Sequence, residues 1–265
     1  MRVRGVLVAL TLALVCAAPA SAQLPSPGIS PPGANDWSCH PSSAHPSPVV
    51  LVHGTFGDMT VSWNLISPRL KQAGYCVFAL DYGDRGTGPI EGSAAQLRDF
   101  VDRVLAATGA RKVSLVGHSQ GGMMPRYYVK FLGGAGKVDD LIGLAPSNHG
   151  TSNPGALVLD GVGVCYSCGQ QATGSAFLTN LNAGDETPGN VAYTVVETRY
   201  DEVVIPYTSA FLSGATNVLL QTRCPVDVAE HLSIIYDAVA LRWIQNALGR
   251  PGPADPGFRP SCLPL

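Results

Sequence analysis

The feature that most constrains this 265-residue chain is the pentapeptide Gly-His-Ser-Gln-Gly at residues 117–121. It directly follows the apolar run 112–116 and precedes a helical pattern at 123–132. A G-x-S-x-G segment between a strand and a helix is typical of a very tight turn, where a Cβ atom at either flanking glycine would collide with neighbouring backbone. The central residue of such a turn is held in a strained conformation. The segment therefore predicts a nucleophile, Ser119, at the end of a buried strand.

The rest of the chain alternates between apolar runs and helical patterns. Six short runs are typical of buried strands in a parallel sheet; they lie at residues 49–52, 76–80, 113–116, 141–145, 191–198 and 217–221. One amphipathic helix is predicted from a cap at Ser93 to Gly109, and another from Leu232 to Gly249. This alternation predicts an α/β fold with a doubly wound, mostly parallel sheet, whose reactive loops collect at the carboxyl ends of the strands.

Composition and charge exclude two classes of function. The formal net charge is −2 and no cluster of Lys and Arg occurs, so the positive surface that nucleic-acid binding needs is missing. The only long apolar run lies at the start of the chain, which excludes a protein with several transmembrane segments. With 46% hydrophobic residues, the length suits one globular domain with a substantial core.

The two ends of the chain differ from its centre. Residues 1–22 combine two arginines, an apolar stretch and a final Ala-Ser-Ala, which is typical of a secretory signal peptide. A Pro- and Ser-rich arm follows at 23–47, then the α/β domain at 48–250 and a Pro- and Gly-rich tail at 251–265. We therefore expect a secreted, extracellular protein without a transmembrane segment, and we expect it to be a monomer.

The cysteines support an extracellular location. Six remain after removal of the signal peptide: Cys39, Cys76, Cys165, Cys168, Cys224 and Cys262. An even number in an exported chain predicts disulfides, although fifteen pairings are possible. Their order suggests the pairs 39–76, 165–168 and 224–262, of which the first attaches the arm and the last attaches the tail. Zinc binding is the weaker alternative, because only one C-x-x-C occurs and no further pair of ligands has finger-like spacing.

A nucleophilic serine needs a base to remove its proton, and that base needs a carboxylate to orient it. In this fold the order along the chain is Ser, acid, His, which leaves His149 and His231 as candidate bases. Only Asp139 and Asp140 lie between Ser119 and His149, and both begin a strand, at the wrong end of the sheet. His231 follows the last strand and is the predicted base.

Several acids are candidates for the orienting carboxylate. Those between the serine and the base include Asp160, Asp185, Glu186, Asp201, Glu202 and Asp227. Asp201 stands just past the end of the penultimate strand, 191–198, and is the predicted acid. Glu202 remains the alternative, since a shift of one residue in the turn would exchange the two. Asp227 is interpreted as a cap of the following helix.

The third requirement is a pair of N–H donors for the negatively charged oxygen of the tetrahedral intermediate. One is the amide of Gln120, after the nucleophile, and the other comes from the turn at 52–57. Thr55 is the predicted second donor, with its hydroxyl as a further candidate and the amide of Phe56 as the alternative. His53 and His118 are interpreted as structural. This chemistry requires neither a metal ion nor an organic cofactor.

Six segments occur in order along the chain: PVVLVHGTFGDMTVSW, VSLVGHSQGGMMPRYYVKFLGG, LAPSNHGTS, GSAFLTNLN, ETPGNVAYTVVETRYDEVVIPY and EHLSI. From Cys39 onward, the chain resembles the secreted actinobacterial lipases called bacterial lipase class 2. The resemblance implies an α/β-hydrolase fold, triacylglycerol lipase or esterase activity, and a catalytic triad of Ser119, Asp201 and His231. Chain order and strand ends point to the same three residues.

The substrate class depends on the apolar, Gly-rich residues 152–175. If they form a lid whose apolar side contacts a lipid surface, a lipase acting on aggregated long-chain esters is expected. If they form a buried wall, a carboxylesterase of short soluble esters is expected. Another acyl-transfer enzyme, or a binding protein without catalysis, is also compatible with the same fold.

Overall fold

Six parallel strands form the centre of the fold in a computed structural model that describes residues 28–263. They are β1 (Val49–Val52), β2 (Val77–Leu80), β3 (Val113–His118), β4 (Val138–Leu144), β5 (Ala192–Glu197) and β6 (Thr216–Leu219), in the spatial order β2-β1-β3-β4-β5-β6. Each predicted apolar run corresponds to one of these strands. The predicted signal peptide lies outside the described residues.

Helices connect the strands and cover the sheet. They are α1 (Met59–Ser62), α2 (Ile66–Gln72), α3 (Gly83–Gly86), α4 (Ile90–Thr108), α5 (Gln120–Phe131), α6 (Pro154–Gly161), α7 (Tyr166–Gln170), α8 (Ala176–Asn182), α9 (Leu220–Arg223) and α10 (Ala238–Leu248). Short 3₁₀ turns lie at Gly134–Gly136, Tyr207–Ala210 and Ser233–Tyr236.

Both faces of the sheet are buried, which explains why its strands are apolar without alternation. In β1, Val50 and Val52 belong to a cluster with residues of α4 and α5 on one face. Val49 and Leu51 belong to a second cluster, with α2 and α10, on the other face. Each such fully buried aliphatic side chain contributes about 2 kcal/mol to stability. The doubly wound α/β fold is confirmed.

Two predicted helix starts are wrong. The helix α4 begins after Pro89, and Ser93 lies inside it with its hydroxyl donating to the Pro89 carbonyl. The C-terminal helix begins only after Asp237, whose carboxylate accepts from the amide of Ala240. Asp227 therefore does not cap this helix. Proline fixes a favourable φ for the start of a helix, and a carboxylate directly before the first turn satisfies a free amide.

The arm and the tail are attached to the domain by disulfides. The bonds join Cys39 to Cys76, Cys165 to Cys168 and Cys224 to Cys262, the pairing that the order of the cysteines suggests. A backbone hydrogen bond also joins the arm to β2, with the Asn35 amide donating to the Val77 carbonyl. In the tail, the Ala254 amide donates to the Thr194 hydroxyl. Both terminal segments therefore extend the domain.

A buried acid lies near the amino end of β4, at the end of the sheet opposite to the carboxyl ends of β3 and β5. Asp140, in β4, is 7% exposed and borders a pocket with His45 and Tyr75. Burial raises the pKa of Asp140 to about 7, and the hydrogen bond donated by the Ser114 hydroxyl partly opposes this shift. Asp140 therefore binds a proton more tightly in the folded protein than in the unfolded chain.

This difference predicts a pH dependence of stability. Because the folded-state pKa is higher than the unfolded-state value, the favourable contribution of Asp140 is complete only below about pH 4 and is lost as the pH rises through about 7. Asp140→Asn retains the shape and abolishes the titration, so its melting temperature should rise relative to the wild type between pH 5 and 7.5. Thermal unfolding at several pH values tests this. Asp99→Asn, at an exposed acid, is the control; equal pH dependence in all three proteins would contradict the prediction.

Candidate active site

The tight turn predicted from the pentapeptide is present at the carboxyl end of β3. Ser119 has φ of 55° and ψ of −125°, a conformation that is strained for a residue other than glycine. A Cβ on Gly117 would lie 1.8 Å from the carbonyl oxygen of Gly121. A Cβ on Gly121 would lie 2.2 Å from the carbonyl oxygens of Val52 and His53. The tightness of the turn therefore requires Gly117, and the close packing of β1 against it requires Gly121.

Three buried side chains from different strand ends form one hydrogen-bonded chain. The Nε2 atom of His231 lies 3.1 Å from Ser119 Oγ, and its Nδ1 atom lies 2.7 Å from Asp201 Oδ2. The other carboxylate oxygen of Asp201 accepts from the amides of Val203 and Val204, at 2.8 and 2.7 Å. Asp201 therefore accepts three N–H donors, an arrangement that stabilises its negative charge. The geometry suits proton transfer from the serine to the histidine.

The alternative bases and acids lie elsewhere. His149 faces Glu186 through Nε2, at 2.8 Å, and the Ser209 carbonyl through Nδ1, so it does not contact Ser119. Glu202 accepts from the backbone amide of His231 at 3.3 Å and does not orient the ring. Asp227 accepts from the amide of Ala229. None of these side chains is placed to orient or replace His231.

The candidate oxyanion donors lie on the turn after β1 and at the start of α5. The Phe56 amide already donates to the Arg85 carbonyl at 2.7 Å, so it is not free to bind an oxyanion. No acceptor for the amides of Thr55 or Gln120 is found among residues 28–263. Thr55 also borders the cavity beside Ser119. These two amides are therefore the available pair.

The hydroxyl of Thr55 is oriented by two buried amides. Its oxygen accepts from Gln120 Nε2 and from Gln171 Nε2, each at 3.0 Å. Gln120 Nε2 also donates to the Gly86 carbonyl, and Gln171 Nε2 also donates to the Ser167 carbonyl. These bonds show that the NH₂ end of each amide, not its oxygen, faces the hydroxyl. Since both lone pairs of the Thr55 oxygen are occupied, its proton must point away from the two glutamines. The hydroxyl is therefore oriented as a donor.

Two further histidines support the site without contacting the serine hydroxyl. His118 Nε2 lies 2.8 Å from the carbonyl oxygen of His231, and burial lowers the pKa of His118 to about 3. It is thus neutral and donates to that carbonyl, which helps to hold the His231 loop. His53 Nδ1 lies 2.8 Å from the Gly54 carbonyl and its ring stacks on Tyr82; burial lowers its pKa.

A cavity of about 440 Å³ opens beside Ser119. Its lining is mostly apolar and includes Phe56, Leu159, Val204 and Leu232. Leu159 comes from α6, a helix with no fully buried residue. The outer side of this segment is exposed and apolar, with Leu157, Val158, Val162, Val164 and Tyr166 all more than half accessible. Residues 152–175 therefore line the cavity on one side and face solvent on the other.

The sequence does not reveal two buried polar residues near the hydrogen-bonded chain of Ser119, His231 and Asp201; these are Gln171 and Glu197. Gln171 lies in the predicted lid segment, where nothing in the local pattern distinguishes it from a solvated side chain. Glu197 gives a clearer signal, because a carboxylate ends the otherwise apolar run 191–196. Such a residue in a buried strand is costly unless it is partnered, and this cost indicates a specific role.

The parallel sheet, the strained serine turn after β3 and the histidine loop after β6 define an α/β-hydrolase. Two solved structures share this fold. Aspergillus fumigatus lipase B has a TM-score of 0.71 at 23% identity, covering 88% of this chain and 64% of that one. The mature form of Bacillus licheniformis lipase BlEst2 has a TM-score of 0.55 at 19% identity, covering 74% of this chain and 89% of that one.

Similarity in sequence identifies the family within this fold to which the chain belongs. The model of the family described as lipase (class 2) matches residues 46–243. Lipase B of Pseudozyma antarctica is 30% identical over 276 aligned positions, which cover 95% of this chain and 79% of that protein. The chain belongs to the class 2 lipase family.

Other relatives match over a shorter region. Triacylglycerol lipases of Pseudarthrobacter phenanthrenivorans and Burkholderia plantarii are each 41% identical over 87 residues, or 30% of this chain. The match spans about a quarter of their length, 27% and 24% respectively. Between residues 28 and 263, no helix of this chain combines the length and the apolar character needed to cross a membrane.

Proposed function

We propose that this protein is a triacylglycerol lipase that hydrolyses carboxylic esters of glycerol through an acyl-enzyme on Ser119. The observation that carries the proposal is the chain of contacts from Ser119 to His231 to Asp201, at 3.1 and 2.7 Å, at the floor of an apolar cavity. An apolar cavity suits acyl chains, and the polar groups beside it suit an ester carbonyl. Membership of the class 2 lipase family supports the same activity.

In the proposed reaction, Ser119 Oγ attacks the ester carbonyl carbon while His231 Nε2 takes the hydroxyl proton. Asp201 holds the proton of the imidazole on Nδ1 and stabilises the imidazolium that forms. The amides of Thr55 and Gln120 bind the oxyanion, and the oriented Thr55 hydroxyl is a third donor. His231 then protonates the leaving alcohol. Water, activated by His231, releases the fatty acid and restores Ser119.

The exposed apolar segment favours substrates at an oil–water interface. Leu157 and Val158 are 60% and 62% accessible, while the next residue, Leu159, borders the cavity. Leu232 also borders the cavity and is 62% accessible. An apolar rim around an active-site opening would lose contact with water on binding to a lipid surface. We therefore assign residues 152–175 as a lid that contacts aggregated lipid.

The location and organisation are part of the proposal. The signal peptide predicted at 1–22 and the three disulfides support a secreted, extracellular protein. Residues 48–250 act as the catalytic domain, with the arm at 23–47 and the tail at 251–265 attached to it. We expect the protein to act as a monomer.

Rates on a series of glycerol esters, from short to long acyl chains, test the substrate class. Each ester is taken through its solubility limit, and the rate should rise sharply once droplets form. Leu157→Ser together with Val158→Ser should lower the rate on droplets by about tenfold, since two apolar contacts with lipid are lost, and leave the rate on soluble short esters unchanged.

The matched control replaces two exposed valines that do not border this cavity, Val226→Ser together with Val228→Ser. It should keep the droplet rate of the wild type. Saturation on soluble esters without activity on droplets would instead indicate a carboxylesterase. Transfer of acyl groups to added alcohol in preference to water would indicate an acyltransferase.

A further inference from the structure

A second carboxyl group lies behind the proposed catalytic acid. Glu197 is the last residue of β5 and is fully buried. Its Oε1 atom accepts from the Thr198 amide at 2.7 Å, whereas no donor from residues 28–263 reaches its Oε2 atom. The proposed mechanism does not use this group. A buried carboxyl oxygen without a donor is expensive unless it carries a proton itself.

The Asp201 amide donates to the Thr198 carbonyl at 3.3 Å, and this turn after β5 brings the Asp201 side chain against that of Glu197. Two carboxyl groups form such a contact only if one proton lies between them, since two buried carboxylates repel. Among residues 28–263, no lysine or arginine forms an ion pair with either acid. Two titratable rings interact with Asp201: His231, whose Nδ1 atom contacts it, and His118, which burial keeps neutral. One proton must therefore be shared between the two acids.

The proton resides on Glu197. Asp201 accepts three N–H donors, from His231, Val203 and Val204, whereas Glu197 accepts one. Donors to a carboxylate favour its ionised form, so Asp201 holds the negative charge. Burial raises the pKa of Glu197 well above its ordinary value, and the neighbouring charge of Asp201 acts in the same direction. The Oε2 atom without a donor is then the hydroxyl of a neutral carboxylic acid.

We propose that Glu197 is a positioning residue of the triad, whose protonated carboxyl donates a hydrogen bond to the Asp201 carboxylate and holds it in line with His231 Nδ1. This inference rests on the proposed function, because it requires Asp201 to orient His231. The bond has two effects. It restricts rotation of the Asp201 carboxylate, and it withdraws part of the negative charge that would otherwise act on the imidazole.

Two substitutions distinguish this role from simple filling of space. Glu197→Gln has the same shape; its amide oxygen accepts from Thr198 and its NH₂ group donates to Asp201. Glu197→Met has a similar volume and donates nothing. The Gln variant should keep kcat, KM and the pH profile of the wild type. The Met variant should lose about tenfold in kcat with KM unchanged, as expected for a hydrogen bond to a charged group.

The pH profile of kcat/KM separates the two roles, because it would not change if Glu197 only filled space. In the Met variant the whole charge of Asp201 acts on His231 and favours the imidazolium, so the acid limb should move to higher pH. In the Gln variant it should stay in place. Melting temperatures of both variants report separately on folding.

Three results would overturn the proposal. One is a Met variant whose kcat and acid limb match the wild type, and another is a Gln variant as impaired as the Met variant. The third is an acid limb of the Gln variant at lower pH than in the wild type, which would mean that Glu197 is ionised in the native enzyme; this result does not depend on folding of the Met variant. A wild-type protein that hydrolyses no ester would instead contradict the proposed function.

Discussion

Replacing Ser119 with alanine should lower kcat for ester hydrolysis by about six orders of magnitude and leave the fold intact. Within residues 28–263 the Ser119 hydroxyl forms a hydrogen bond to His231 alone, and alanine is smaller than serine at the same position. Without Oγ no acyl-enzyme forms, so the remaining donors and the histidine can only assist direct attack by water. Continuous titration of released fatty acid measures the loss, and a fluorophosphonate should label the wild type but not the variant.

Ser114→Ala is the matched control for this substitution. Ser114 lies on the same strand, β3, is equally buried, and donates to Asp140 at the opposite edge of the sheet. This variant should keep kcat within about threefold, because Ser114 bonds to Asp140 and to none of the site residues, and substitutions at distant sites act independently. If Ser119→Ala retained substantial turnover, or if Ser114→Ala lost as much, Ser119 would not be the nucleophile.

The fold follows from local pattern because each buried strand is short, apolar and bounded by turn residues. The run 49–52 needs no tertiary information to be assigned, and the same is true of the run that ends at Ser119. Helix starts were harder to predict. Ser93 and Asp237 are both chemically suitable caps, and the choice between a start at Ser93 and one after Pro89 depends on packing against the sheet. Such boundaries are set by contacts that are distant in sequence.

The site residues likewise divide into those that local sequence and topology predict and those that depend on contacts distant in sequence. Asp201 and His231 stand at strand ends, so the topology alone indicates that they approach Ser119. Gln171 gave no such signal, since its contact with Thr55 joins segments 116 residues apart. Glu197 could have been noticed as an acid in an apolar run, but its partner depends on how the turn after β5 folds back. Residues that act through another residue are the hardest to predict from sequence.

Substituting Asp201 by asparagine should lower kcat by about four orders of magnitude, the second largest effect expected here. The amides of Val203 and Val204 both donate to one carboxylate oxygen, and they would hold the amide oxygen of asparagine in that place. Its NH₂ group would then face His231 Nδ1 and donate to it. The ring would carry its proton on Nε2, which faces Ser119, and the base needed to activate the serine would be lost.

Glu202→Gln is the control, because Glu202 is the alternative acid and its side chain accepts from the backbone amide of His231 but does not contact the ring. It should retain kcat within about threefold, since an exposed carboxylate contributes little to a neighbouring site. Initial rates of both variants on a soluble short-chain ester separate the chemical step from binding to droplets, and the downfield proton resonance of the bond between His231 Nδ1 and Asp201 should disappear only in Asp201→Asn. A large loss in Glu202→Gln, with normal turnover in Asp201→Asn, would transfer the role of the orienting acid to Glu202.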